Sequence, residues 1–148
     1  MPSPILAPVV ALVAWSLLMM AWMYAVRFPA MRRKGISLKG RVGSKGGDLD
    51  GVVEPAVQWK AHNYNHLMEQ PTLFYAIALS LAMMHAGGGF NLWLGWAYVA
   101  FRVAHSLVQA TSNVVRWRFL LFMGGSVVLA ALTLHAGMAV LGIHLHHG

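Results

Sequence analysis

The chain has 148 residues, of which 58% are hydrophobic and only 10% are charged, whereas about 25% of the residues are charged in an average soluble domain. This composition indicates a membrane protein rather than a soluble globule. The chain has no cysteine, which excludes disulfides, thiolate metal ligands and a cysteine nucleophile of its own.

The first predicted helix covers residues 5–27. Its uncharged segment from Ile5 to Val26 is long enough to cross a bilayer core, which needs about 20 residues. A cleaved signal peptide is the alternative, but a signal has a basic segment before an apolar region of about 7–15 residues. We therefore expect a retained membrane helix, followed by a hydrophilic connection over 28–53. In that connection, Gly43–Gly46 resembles a phosphate-binding loop but lacks the Walker spacing, so a flexible linker is the preferred interpretation.

Three further helices are predicted over 54–86, 90–111 and 115–142. Pro55 suits the first position of a helix. The clearly apolar segment Thr72–Met84 is too short to span a membrane alone, so we expect the second helix to extend back through Glu69, Asn65 and His62. The four elements predict an all-α, integral membrane four-helix bundle that forms a single domain over residues 1–148.

All basic residues except Arg102 lie in or beside the 28–53 connection and the short link near Asn113, with Arg27 and Lys60 flanking the connection, whereas neither terminus contains Lys or Arg. The positive-inside rule puts both basic connections in the cytoplasm and both termini outside. We expect the inner membrane of a bacterium as the location. This placement accounts for the net charge of +7 without a nucleic acid partner.

Polar residues follow helical spacing in two of the predicted spans. Charges inside a span cost at least about 2.5–3.5 kcal/mol at its centre and tend to face the bundle interior. One stripe, on the second helix, consists of His62, Asn65 and Glu69, and the other, on the third helix, consists of Tyr98, Arg102, His105 and Gln109. We predict that the two stripes meet in one interior site near the cytoplasmic end.

The charges of this predicted site suit an anionic ligand that carries one amino group. Arg102 and Arg116, with Lys60 behind them, would bind carboxylates, and Glu69 would bind an ammonium group. If the ligand has a thiol, a nearby arginine stabilises the thiolate without any protein nucleophile. Glutathione has this character, and an apolar co-substrate would enter from the bilayer.

Several residues also allow a purely structural interpretation. Glu69 and Arg102 would then pair only to hold two helices together, and the basic residues that begin the fourth helix would be cytoplasmic anchors. His62 and His66 would be interfacial histidines without a ligand, and His135 a satisfied polar residue between helices. For the tail histidines His144, His146 and His147, a disordered polar tail is preferred over a metal site.

Two motifs resemble the MAPEG family, the membrane-associated proteins in eicosanoid and glutathione metabolism. One is the stretch 61–75, with its Asn, Glu, Pro and aromatic-rich run, and the other is the stretch 102–106, followed by Asn113, Arg116, Arg118 and Phe119. The resemblance covers most of the chain. Three features depart from the family's glutathione enzymes. Those enzymes usually have an arginine at the start of the first motif, where the nearest basic residue of this chain is Lys60. Asn65 precedes Glu69 by four residues instead of three. His105 and Gln109 occupy positions where those enzymes have tyrosines.

The resemblance implies a homotrimer that binds glutathione as co-substrate between subunits and acts on a lipophilic small molecule, as a transferase or a peroxidase. Arg116 is the implied catalytic residue, which stabilises the glutathione thiolate. The expected glutathione-binding residues are Lys60, His62, Asn65, Glu69, Arg102, His105, Gln109 and Asn113, and no metal site is predicted. The alternatives are a non-catalytic lipid-binding or adaptor protein on the same fold, and a structural polar core in a small transporter or scaffold subunit.

Overall fold

A computed structural model of the chain describes residues 2–35, 49 and 51–142. These ranges contain five helices: α1 Leu6–Arg33, α2 Pro55–Leu67, α3 Gln70–Met83, α4 Phe90–Ala110 and α5 Val115–Val140. Only two residues separate α2 from α3, so the bundle has the four-helix arrangement that was predicted, with one helix interrupted. The Gly43–Gly46 segment and the histidines of the tail lie outside the described residues.

The first helix is longer than predicted, because it continues past Arg27 to Arg33. Its last turns bury Ala30 and Met31 in a small apolar cluster with Val53 and Val57. The helix also contains Pro29, which removes one backbone hydrogen bond. The burial of the final turns explains why the helix nevertheless continues through this proline.

The second predicted helix, over 54–86, is not continuous, and this corrects the prediction. Pro71 has no backbone N–H to donate to the carbonyl of Leu67, and its ring clashes with that carbonyl. The chain therefore leaves the helix at Glu69, whose φ of −91° and ψ of −94° are not helical. The last turn of α2 tightens instead, with hydrogen bonds from Met68 and Glu69 to the carbonyls three residues earlier. The interruption separates a polar α2 from an apolar α3.

The helices pack around an apolar centre. The most extensive helix contact is between α4 and α5, while α2 packs on α1 and α4, and α3 packs on α5 and α1. At the centre, the rings of Phe74 and Tyr98 stack at 4.5 Å, and Leu12, Leu81 and Leu132 are fully buried around them. This packing aligns α2, α4 and the start of α5 along one side of the bundle.

Two helices, α1 and α5, are long and apolar enough to cross a membrane. Each of the two segments α2 and α3 is shorter than the roughly 20 residues that a span requires. The helix α4 has 21 residues but carries a charged residue and several polar ones in its second half. Four membrane spans therefore stay a prediction, which requires α2 and α3 to cross together.

Candidate functional site

Three hydrogen bonds join the second predicted helix to α4, and we call this set the polar ladder. Asn63 accepts from Ser106 at 2.7 Å, His66 Nδ1 lies 2.7 Å from Arg102 Nη2, and Gln70 accepts from the Tyr98 hydroxyl at 3.1 Å. From one hydrogen bond to the next, the residue numbers increase along the second predicted helix and decrease along α4, as expected for antiparallel neighbours. The amide of Gln70 also donates to Ser126 at 2.8 Å, which extends the ladder to α5.

The ladder uses a different face of the second helix from the one predicted. His62, Asn65 and Glu69 are exposed in the protomer, whereas the row one residue later, Asn63, His66 and Gln70, faces α4. On α4 the predicted stripe of Tyr98, Arg102, His105 and Gln109 is entirely buried. The predicted stripe on α4 is thus buried, but the row of α2 and α3 that faces it is shifted by one residue from the predicted row.

Arg102 is the most unusual member of the ladder. It is only 1% exposed, and its Nε and Nη1 have no hydrogen-bond partner. Within the described part of the chain, a salt bridge is found between Arg33 and Glu54, at 4.0 Å, and none is found between Arg102 and Glu69. A buried guanidinium without a carboxylate is costly, and its unused N–H groups are donors for an anion.

Three rings form a wall beside this guanidinium. The imidazoles of His66 and His105 stack with centroids 4.7 Å apart, and Phe122 of α5 meets His66 edge-on at 5.5 Å. The Nδ1 of His105 and the Oε1 of Gln109 are buried without a hydrogen-bond partner. This region therefore holds several polar atoms that the described part of the chain does not satisfy.

A cavity of about 320 Å³ opens in front of this wall. It lies between α2, the last turns of α4 and the first turns of α5. It is lined by both polar and apolar side chains, namely His66, His105, Gln109, Val115, Arg118, Phe119 and Phe122. Such a surface suits a ligand with an anionic group and an apolar group, as many binding sites combine an apolar wall with few polar contacts.

Arg118, which lines the cavity, is held in place by the turn between α4 and α5. Nη1 of Arg118 donates to Oδ1 of Asn113 at 2.7 Å. Asn113 adopts a left-handed conformation with φ of 51°, which asparagine tolerates better than most residues, and its N–H donates to the carbonyl of Val108 at 2.6 Å. Asn113, predicted as a ligand-binding residue, therefore positions Arg118 within the protomer.

Other predicted residues lie away from this cavity. Lys60 donates to the carbonyl of Ala56 at 3.0 Å and lies 5.2 Å from the ring of Trp22. Arg116 is exposed in the first turn of α5 and does not line the cavity. Two residues along a helix turn the side chain by about 200°, so Arg116 and Arg118 point in nearly opposite directions.

Sequence reasoning missed Asn63 and Ser106 as a buried pair, and it considered His66 only as an interfacial histidine. A signal was present for His66, because it is the residue three positions before Glu69, the spacing expected for the asparagine of the motif. His135 was predicted to be a hydrogen-bonded polar residue between helices, and its Nδ1 lies 2.7 Å from Oδ1 of Asn91 on α4.

In a comparison with known families, the model of the MAPEG family matches residues 5–138. Neither the curated proteins nor the solved structures include a significant match to the chain. The family match includes α1 to α4, all but the last two residues of α5, and every residue of the polar ladder and the cavity. The chain is therefore an all-helical membrane protein that belongs to the MAPEG family.

Proposed function

We propose that the protein is a membrane glutathione-dependent transferase or peroxidase that acts on lipophilic electrophiles. Membership of the family fits glutathione-related or eicosanoid metabolism in the broad sense. In this proposal glutathione supplies the thiol that attacks an electrophile or reduces a peroxide, and the chain binds the peptide and stabilises its thiolate.

The observation that carries the proposal is the buried guanidinium of Arg102 with its unused Nε and Nη1. A charged group that is buried without an oppositely charged partner destabilises the fold by its desolvation penalty, which is on the order of several kcal/mol. A purely structural role for Arg102 does not offset this penalty, since His66 is the only hydrogen-bond partner of Arg102 among the described residues. Arg102 does not line the cavity, but its partner His66 does, and in this proposal an anionic ligand that binds beside His66 supplies the missing partner. Glutathione carries two carboxylates and an ionisable thiol.

The cavity supports the second substrate. Val115, Phe119 and Phe122 line it, and Phe119 is also largely exposed on the outer surface of α5 together with Trp117 and Leu120. In a bilayer these exposed side chains meet lipid, so a lipophilic molecule reaches the cavity without crossing water.

The proposal includes a homotrimer in which a neighbouring subunit covers the exposed polar residues. His62, Asn65 and Glu69 are exposed in the protomer, and polar groups facing lipid are costly. A neighbour that packs on this side would bring its own surface against them and complete a glutathione site with Lys60. In that arrangement Arg116, which also faces outward, reaches the glutathione bound at the cavity of the neighbouring subunit and stabilises its thiolate.

The proposed location is the inner membrane of a bacterium, with both basic connections in the cytoplasm and both termini outside. Arg32, Arg33 and Lys34 at the end of α1 are all exposed, as expected for residues in the headgroup region. Glutathione and the proposed site then lie on the same, cytoplasmic side.

The test uses the full chain purified in detergent. With glutathione and 1-chloro-2,4-dinitrobenzene we expect thioether formation, and with an organic hydroperoxide we expect oxidised glutathione, measured by coupling to glutathione reductase. Trimer formation is measured by light scattering with correction for detergent. If the folded protein binds no glutathione in calorimetry and turns over neither substrate, the proposal is wrong.

A second candidate function is a non-catalytic lipid-binding or adaptor protein on the same fold. One observation favours it, namely that the Lys60 ammonium group binds its own helix and lies close to the ring of Trp22, rather than facing the cavity. Lysine also lacks the bidentate geometry of arginine. Tight glutathione binding in calorimetry would count against this candidate, and lipid binding without glutathione binding would support it.

A further inference from the structure

The middle contact of the polar ladder determines where the proton of His66 lies. A guanidinium has only N–H donors and no acceptor, so Nη2 of Arg102, 2.7 Å from Nδ1 of His66, must donate to that nitrogen. Nδ1 then carries no proton, and the neutral ring carries its proton on Nε2. Arg102 thereby selects one of the two tautomers of His66.

The surroundings of His66 leave Nε2 as its one remaining polar atom for a ligand. The ring stacks on His105 at 4.7 Å and meets the edge of Phe122 at 5.5 Å, so its orientation is restricted by packing. His66 lines the cavity, and Nε2 has no hydrogen-bond partner among the residues that the structure describes. Its N–H is therefore a prepositioned donor beside the cavity.

We propose that His66 donates this hydrogen bond to the sulfur of bound glutathione, and that Arg102 is the positioning residue that keeps His66 in the donor tautomer. The inference rests on the function proposed above. Of the other lining residues, Val115, Phe119 and Phe122 are apolar, whereas His105, Gln109 and Arg118 are polar. The sulfur is the favoured acceptor for His66 because the Arg118 guanidinium is available to a carboxylate of the same ligand. A thiolate is less hydrated than a carboxylate, and its reaction partner is lipophilic.

Two substitutions separate this role from a purely structural one. In His66→Gln the side-chain amide reaches the place of Nε2 and keeps a donor there, but the acceptor for Arg102 is lost. In His66→Asn the side-chain oxygen takes the place of Nδ1 and keeps the acceptor, but the donor toward the cavity is lost. If His66 only anchors Arg102, then His66→Asn should resemble the wild type and His66→Gln should be impaired.

The measurement is the ultraviolet absorbance of glutathione thiolate on the detergent-solubilised protein as the pH is varied. The charged groups that face His66 are Arg102 and Arg118, with His105 as the neighbouring titratable ring. We expect His66→Asn to form about tenfold less thiolate at neutral pH than the wild type, which corresponds to a shift of about one pH unit. His66→Gln should retain most of it, and glutathione affinity by calorimetry should change less than thiolate formation.

A second measurement is independent of glutathione. Nitrogen-15 spectra of histidine-labelled protein distinguish protonated from unprotonated ring nitrogens, and the signal of His66 is assigned by its absence in His66→Asn. We expect a proton on Nε2 only, and a mixture of tautomers in Arg102→Met. A proton on Nδ1 in the wild type would overturn the inference.

The outcomes also separate this inference from the proposed function. Wild-type protein that binds glutathione, together with normal thiolate formation in His66→Asn, would remove the donor role and leave the proposed function in place. Wild-type protein that binds no glutathione would remove the proposed function, and with it the role of His66 toward sulfur.

Discussion

Ser106 on α4 donates a hydrogen bond of 2.7 Å to Oδ1 of Asn63 on α2, and both side chains are completely buried. The pair stands at one end of the polar ladder, one helical turn from Arg102. Because the alternative for either group is an unsatisfied polar atom inside the bundle, the pair fixes the register between α2 and α4. The positions of His66 and Arg102 depend on this register.

Replacing Ser106 by alanine should lower the stability of the bundle. Hydrogen bonds between membrane helices contribute about 0.6–2 kcal/mol, and the change leaves Oδ1 of Asn63 without its donor. Thermal unfolding in detergent measures the effect. Ser112→Ala is the matched control, because Ser112 is exposed in the turn after α4. Equal melting temperatures for the two variants would show that the pair contributes nothing.

Arg102→Met should weaken glutathione binding without destabilising the fold. Hydrogen bonds to charged groups contribute about 1.5–3 kcal/mol, so the affinity should fall roughly 10–100-fold. Removal of a buried charge that has no salt bridge also removes its desolvation cost, so the loss of the hydrogen bond to His66 should change the melting temperature little. Calorimetry and thermal unfolding measure the two effects, with Arg32→Met at an exposed position as the control. A large loss of stability at unchanged affinity would assign Arg102 to helix packing.

Arg116→Ala and Arg118→Ala should affect different kinetic constants. Loss of the group that stabilises the thiolate costs about 100–1000-fold in kcat, and we expect this loss for Arg116. Arg118 lines the cavity and bonds to Asn113, so its loss should mainly raise KM. Steady-state kinetics with glutathione and 1-chloro-2,4-dinitrobenzene separate the two effects. Normal kcat in Arg116→Ala with a collapsed kcat in Arg118→Ala would transfer the role to Arg118.

Gly87→Ala should destabilise the contact between the N-terminus and the turn that precedes α4. A methyl group at Gly87 would lie 2.5 Å from Cγ2 of Ile5 and would also clash with the Ser3 hydroxyl. Since Ile5 is fully buried, the overpacking should cost about 1–3 kcal/mol. The neighbouring Gly88→Ala has open space around its methyl group and should change stability by less than about 0.5 kcal/mol. Similar melting temperatures would contradict this packing.

Much of the helical framework follows from local patterns. Apolar runs, Pro55 and the glycine turn are enough to predict four helical regions, and the steps of four and three along α4 are enough to place Tyr98, Arg102 and His105 on one buried face. The interruption at Glu69 also had a local cause in Pro71. It was missed because the need for about 20 residues per span favoured one continuous helix.

The choice between two faces of the second helix could not be made from the sequence. His62, Asn65 and Glu69 have the same spacing as Asn63, His66 and Gln70, and both rows are polar throughout. Periodicity states which residues share a face, but it does not state which face meets a neighbour. The partners of the second row are Ser106, Arg102 and Tyr98, and they lie far away along the chain.

The amino-acid sequence by itself therefore determined the helical membrane framework, the buried stripe of α4 and the family to which the chain belongs. Only the tertiary structure decided that Asn63, His66 and Gln70 face inward and that Arg118 rather than Arg116 lines the cavity within the protomer. The physical reason is the same in both cases. A helix has a fixed internal geometry, but its rotation about its own axis is set by the helices that pack against it.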